Sequence, residues 1–198
     1  MKHFRICILL LIFPLLSYAQ KIRVSPGLKV SYIFSRVAPD YTDSSQTRYQ
    51  FLTAGGYRIG GFVVLESDKK LMVQINLLFT YKRSWANIYT RGNQGQPWKD
   101  NWIYNYIEFP VLLLYKIPIQ KSQCYLGGGI NPEFRIWEYQ PNNRAMKAGW
   151  SLAAGLRTPI DFYFQLDLTR NGIPGQIRYL SPVRGHITSF GVTVGYSF

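Results

Sequence analysis

Apolar residues recur at every second position through long stretches of this chain. From 71 to 82, Leu71, Val73, Ile75, Leu77, Phe79 and Tyr81 share one face, and Met72, Gln74, Asn76, Leu78, Thr80 and Lys82 share the other. A period of two is that of a β-strand. Phe162, Phe164, Leu166 and Leu168 alternate in the same way with Tyr163, Gln165, Asp167 and Thr169, and Phe190, Val192, Val194, Tyr196 and Phe198 with Gly191, Thr193, Gly195 and Ser197. Ile107, Phe109, Val111, Leu113, Tyr115 and Ile117 likewise oppose Tyr106, Glu108, Pro110, Leu112, Leu114 and Lys116. One face is long and apolar, the other small or polar. Gly, Asn, Pro, Ser and charged residues separate such runs, and no stretch carries a helical period. Eight strands are predicted, at 22–35, 49–65, 70–83, 102–117, 123–136, 148–158, 161–170 and 186–198.

Alternation alone also suits a soluble sandwich, with the apolar face buried. Three features favour a membrane barrel, which turns its apolar face to lipid. The apolar stretches run for five or six alternate positions, as a tilted membrane strand of 9–11 residues requires. Aromatic residues such as Tyr81, Trp85, Trp102, Tyr115, Trp150 and Tyr196 stand at strand ends, where interfacial girdles form. Connections after the second, fourth and sixth strands are short (66–69, 118–123, 158–160), whereas 35–48, 84–101, 137–147 and 171–185 are long. Short periplasmic turns and long external loops produce that parity, and an even strand count puts both termini in the periplasm. The predicted fold is all-β, an eight-stranded antiparallel up-and-down transmembrane β-barrel in the outer membrane. A soluble periplasmic lipocalin-like binding barrel is the rival, and it gives no reason for the loop asymmetry.

The amino terminus changes how the charge is read. Lys2, His3 and Arg5 form a basic segment, Ile6–Leu16 an apolar one interrupted by Pro14, and Ser17-Tyr18-Ala19 ends on small residues, the pattern of a signal peptide spanning 1–19 with cleavage before Gln20. Residues 20–198 are then a single barrel domain. The formal net charge of +13 would suggest nucleic acid in a cytoplasmic protein. In an exported one, the phosphates of outer-membrane lipid or lipopolysaccharide are the expected partners, and nucleic acid is not. Cys7 departs with the signal and the segment before it lacks a lipoprotein cleavage site, so Cys124 remains alone and no intramolecular disulfide is expected.

The segment Tyr106-Ile107-Glu108-Phe109-Pro110, followed by Val111-Leu112-Leu113-Leu114-Tyr115, resembles the Tyr-Leu-Glu-Ile-Pro signature of the PorT-like outer-membrane β-barrel family of Bacteroidetes. Gly27-Leu28-Lys29, Gly127-Gly128-Gly129, Gly155-Leu156-Arg157 and the terminal Gly191–Phe198 fall where that family has its own. The resemblance covers essentially the whole chain after the signal. It implies a link to protein secretion and gliding-type surface export, with a secretion-system protein as partner; the residues themselves are read as a non-enzymatic barrel serving as a scaffold or docking component. Val194, Tyr196 and Phe198 resemble the carboxyl-terminal signal by which the barrel-assembly machinery recognises its clients.

An outer-membrane lipid-modifying enzyme of the deacylase kind is the alternative from another class. It requires a general base beside a nucleophile. After the signal the chain has one histidine, His186, and strand spacing sets Thr188 on its face and Ser189 on the other, so the His-x-Ser pattern of such deacylases fails at Thr188. No catalytic, cofactor or metal site is assigned. On the inward face, eight strands leave room only for side chains, so charges there must pair. Glu108, Glu133 and Asp167 are expected to be satisfied by Arg58, Arg135, Arg157 or Lys29 in a polar plug. Pro110, unable to donate to the ladder, is expected to mark a bulge. In the last loop, Arg170, Arg178 and Arg184 without an acid are candidate lipid-phosphate contacts.

Overall fold

The structure, a computed structural model, describes residues 22–39, 43–44, 47–67, 70–90, 97–136, 147–172 and 185–198. The predicted signal segment, Arg178 and Arg184 lie outside these residues. The described chain is all strand: β1 (Arg23–Pro39), β2 (Asp43–Ser44), β3 (Thr47–Glu66), β4 (Leu71–Thr90), β5 (Trp98–Glu108), β6 (Val111–Ile119), β7 (Ser122–Arg135), β8 (Lys147–Arg157), β9 (Phe162–Gly172) and β10 (Gly185–Ser197). β5 and β6 are two halves of one wall, both pairing with β4 on one side and β7 on the other. The wall runs antiparallel through β1, β3, β4, β5 with β6, β7, β8, β9 and β10, and β10 returns to pair with β1 from Gly27↔Ser197 to Pro39↔Gly185. This is a closed eight-stranded antiparallel barrel. Closure leaves no free edge among its walls.

Side chains alternate across the wall as strand geometry demands. On β9, Phe162, Phe164 and Leu166 are exposed while Tyr163, Gln165, Asp167 and Thr169 are buried. On β1, Leu28, Val30, Tyr32 and Phe34 face out, and Lys29, Ser31, Ile33 and Ser35 face in. The outer surface carries a belt of apolar residues, and Lys29, Arg58, Lys82, Glu108, Glu133 and Asp167 are buried inside. That polarity is inverted relative to a water-soluble barrel, and it places the protein in the cell outer membrane.

Two local expectations are corrected. Pro110 marks no bulge. The pairs Leu78↔Glu108 and Ile75↔Val111 on one side, and Glu108↔Glu133 and Val111↔Ile130 on the other, keep the same register through it, with no residue inserted. The ladder instead loses donors. Asn76 N–H donates to the Pro110 carbonyl at 2.9 Å, but Pro110 has no N–H to return; Phe109 N–H donates to the Pro132 carbonyl at 2.9 Å, and Pro132 likewise cannot return it. The Asn76 side-chain amide adds a second bond to the Pro110 carbonyl at 2.9 Å.

The register shift lies in β3, where three residues, Ala54, Gly55 and Gly56, stand between Thr53↔Ser84 and Tyr57↔Tyr81 against two on β4. A Cβ on Gly56 would sit 2.2 Å from the Tyr81 carbonyl oxygen, so the bulge is built from the residue type that permits that approach. The strands also run further than predicted toward the loop end: β4 continues to Thr90 and β5 starts at Trp98, taking up much of the 84–101 connection. Cross-strand partners such as Tyr49↔Ile88 extend the β3–β4 ladder into it.

Candidate functional site

The barrel interior is layered. Toward the short turns, Phe62 and Val64 of β3, Met72 of β4, Leu112 and Leu114 of β6, Tyr125 of β7, Ala153 of β8 and Tyr163 of β9 form one buried apolar cluster. β7 presents Gly127 and Gly129 beside Leu114 and Leu112, and this large-against-small pairing lets the leucines fill the lumen. The Phe62 and Tyr163 rings meet edge to face with centroids 5.2 Å apart, and Tyr125 lies 6.1 Å from Tyr163. Alternation along the sequence sets Met72, Leu112, Leu114 and Tyr163 on the inner face, and beside the expected polar plug they form an apolar layer of their own.

Further toward the loops the filling is ionic. Lys82 is its hub: the ammonium lies 2.8 Å from Glu108 Oε1, donates to Glu133 Oε1, and sits 5.0 Å from the centre of the Tyr106 ring. Arg58 completes the cluster, with Nε 3.2 Å from Glu108 Oε2 and Nη2 donating to Thr169 Oγ1 at 2.8 Å. The side-chain amide of Asn171 donates to Glu133. Glu108 and Glu133 are direct cross-strand partners, so two buried carboxylates are held side by side and Lys82 bridges them. Asp167 accepts from Thr193 Oγ1 at 2.6 Å and from the Gln165 amide, and Thr193 in turn contacts Ser31 Oγ at 2.7 Å. Lys29, also buried, lies at the border of the two layers, 6.0 Å from the Phe62 ring centre.

Of the seven interior residues named from the sequence, the structure brings Arg58, Glu108 and Glu133 together and sets Asp167 and Lys29 beside them. Arg157 is elsewhere. It turns to the mouth at the turn end, where Nη1 lies 2.9 Å from Glu66 Oε2 and Nε donates to Asp161 Oδ1 at 2.9 Å. The side chain of Arg135, opposite Tyr106 in β7, lies outside what is described. Sequence reasoning placed Lys82 on the inner face without a partner, because inter-strand register was not available to set it against Glu108 and Glu133.

Glu66 joins the mouth: its other oxygen accepts from Lys116 Nζ at 2.8 Å, and Lys116 also donates to the Ser67 carbonyl at 2.8 Å. These groups and Arg23, Lys121, Thr158 and Gln123 line an open cavity of about 470 Å³. Burial in the mouth pushes the Glu66 carboxyl up, but the Lys116 ammonium and Arg157 guanidinium outweigh it and hold the carboxyl below its ordinary range. Gln120 and Asp161 adopt positive φ, 52° and 60°, at the turns beneath the cavity.

On the outer surface, Val194, Tyr196 and Phe198 face out, and Phe198 N–H donates to the Pro26 carbonyl at 3.0 Å, at the seam with β1. Tyr196 packs on Phe162 at 5.1 Å. Arg170 is exposed on the same surface. His186 and Thr188 face outward, whereas Ser189 points inward and bonds Ser35 Oγ at 2.9 Å. Among the described residues no group of His, Cys, Asp and Glu is placed to hold a metal ion.

Searches against protein-family models and against characterised protein sequences returned no match. Among solved structures, the barrel is similar to the outer membrane protein OprG from Pseudomonas aeruginosa, at 14% identity over 88% of this chain and 96% of that one, with a TM-score of 0.49. It is similar to Neisserial surface protein A at 9% identity, covering 89% and 99% of the two chains, with a TM-score of 0.49. Ail, the attachment invasion locus protein of Yersinia pestis, solved with the heparin analogue sucrose octasulfate, has 14% identity, coverage of 89% and 99%, and a TM-score of 0.42.

Proposed function

We propose that this chain is a non-catalytic scaffold of the outer membrane, exported by a signal peptide at 1–19, whose working surfaces are its two ends and its lipid-facing wall. The observation that carries this reading is the filled lumen. Across it stand an apolar layer containing Phe62, Leu112, Leu114 and Tyr163 and an ionic layer centred on Lys82, so the centre of the barrel offers no solute path. A molecule in this membrane that neither conducts nor encloses a large ligand acts by holding something at its surface.

The turn-end mouth is the side that a periplasmic partner meets. The resemblance of Tyr106–Tyr115 to the PorT-like signature supports a component of a secretion apparatus as that partner, and Val194, Tyr196 and Phe198 at the β1 seam support recognition by the barrel-assembly machinery. Planar-bilayer recording of the purified protein tests the scaffold reading. The expected result is no stable conductance, and reproducible nanosiemens-scale openings would overturn it. Photo-crosslinking from position 121 in native membranes tests the partner: the expected product contains a secretion component, and its absence with efficient crosslinking to lipid alone would refute that assignment.

A further inference from the structure

The register of the outer surface brings two distant arginines into one row. Arg36 of β1 pairs with Thr188 of β10, Thr188 pairs with Arg170 of β9, and Arg170 pairs with Trp150 of β8. All four side chains point outward, and both arginines and Trp150 are exposed. Adjacent strands lie about 4.8 Å apart, so the arginines straddle Thr188 at about 10 Å. Each arginine follows the last apolar residue of its lipid-facing series, Phe34 on β1 and Leu168 on β9. The row therefore stands at the loop-side edge of the apolar belt, where an arginine stem lies along apolar surface and the guanidinium reaches the headgroups.

The outer-face residues beside this row, Phe34 and Leu168 two positions before the arginines and His186 and Phe190 two positions either side of Thr188, include no carboxylate. Another outward arginine, Arg83 on β4, has its guanidinium engaged: Nε and Nη2 donate to the Tyr81 hydroxyl at 3.3 and 3.0 Å. Resting on the outer-membrane reading, we propose that Arg36, Thr188 and Arg170 form a binding site for a phosphate of an anionic membrane lipid. The phosphate sits over Thr188, accepts a hydrogen bond from its hydroxyl, and takes an N–H fork from each side, while the acyl chains lie down the belt below. Two guanidinium groups converging on one phosphate supply the charge-assisted geometry that a single exposed arginine lacks.

The test uses the full mature chain in detergent micelles, with bound lipid counted by native mass spectrometry during titration with phosphatidic acid or with diacylglycerol of the same chains. Phosphatidic acid should bind about tenfold more tightly than diacylglycerol, and the Arg36→Gln, Arg170→Gln double variant should lose about fivefold or more of that affinity. Thr188→Val should weaken it less, and Arg83→Gln should leave it unchanged. An excess of inorganic phosphate should not displace the lipid; displacement would mean a free-anion site and overturn the assignment. Equal binding by the double variant and the original protein, or an equal loss in Arg83→Gln, would also overturn it. Incorporation into vesicles is measured in parallel: failure to insert refutes the membrane reading, whereas insertion without phosphatidic acid preference refutes this site alone.

Discussion

The two layers that fill the lumen do so by different physics. The turn-side layer, with Leu114, Val64, Leu112 and Tyr125 at its centre, is held by shape, and each side chain contributes in proportion to what it fills. The ionic layer is held by charge pairing: Lys82 and Arg58 balance Glu108 and Glu133, and removing one member strands another in a site buried from solvent. The apolar layer is therefore expected to fail gradually, and the ionic layer all at once.

The largest effect expected is that of Lys82→Met, which leaves Glu133 without its cation beside a buried Glu108 that only Arg58 still compensates. It should cost about 3–5 kcal/mol in urea unfolding from micelles. Adding Glu133→Gln to it, which keeps Glu108 paired with Arg58, should recover much of that loss; if the double variant is no better, the layer is not held by charge balance. Leu114→Ala should cost about 2–4 kcal/mol by leaving a cavity among Val64, Met72 and Leu112. A larger loss there than in Lys82→Met would reverse the comparison.

Much of the barrel was legible from alternation read with strand length, aromatic strand ends and loop parity, because a wall with lipid on one side and a packed lumen on the other imposes a period of two on every strand. The inward placement of Lys29, Arg58, Lys82, Glu108 and Glu133 follows from it. Their partners do not. Which inner residue meets which depends on stagger between strands, and no single strand encodes that, so Arg157 was matched with interior acids when it binds Glu66 and Asp161 at the mouth. The bulge was misplaced for a related reason. Pro110 was the conspicuous signal, but a missing donor costs a hydrogen bond without adding a residue, whereas Gly55-Gly56 supplies the extra residue and the freedom to accommodate it. The apolar layer depends on the same stagger, which brings Leu112 and Leu114 of β6 against Val64, Met72 and Tyr125.

The smallest effect is at the mouth, where both kinds of support thin out. Glu66, its pKa lowered by Lys116 and Arg157, stabilises the fold at neutral pH. That contribution starts to fall as pH drops through the ordinary carboxylate range and is gone below the lowered pKa. Glu66→Gln should therefore cost about 1 kcal/mol at neutral pH, after screening by solvent at the open mouth, and nothing in acid. A difference that grows on acidification would contradict the mouth geometry.

The account as a whole rests on an apolar outer wall around a filled lumen, and single-cysteine scanning along β9 tests that most directly. In a Cys124→Ser background, each position from 162 to 169 is replaced in turn by cysteine and the vesicle-inserted protein is treated with a thiol-reactive, environment-sensitive fluorophore. The account predicts a period of two: labels at Phe162, Phe164, Leu166 and Leu168 are quenched by brominated lipid, while positions Tyr163, Gln165, Asp167 and Thr169 resist labelling and are not quenched by lipid. Quenching by water-soluble iodide at Phe164 and Leu166, with no response to brominated lipid, would contradict it.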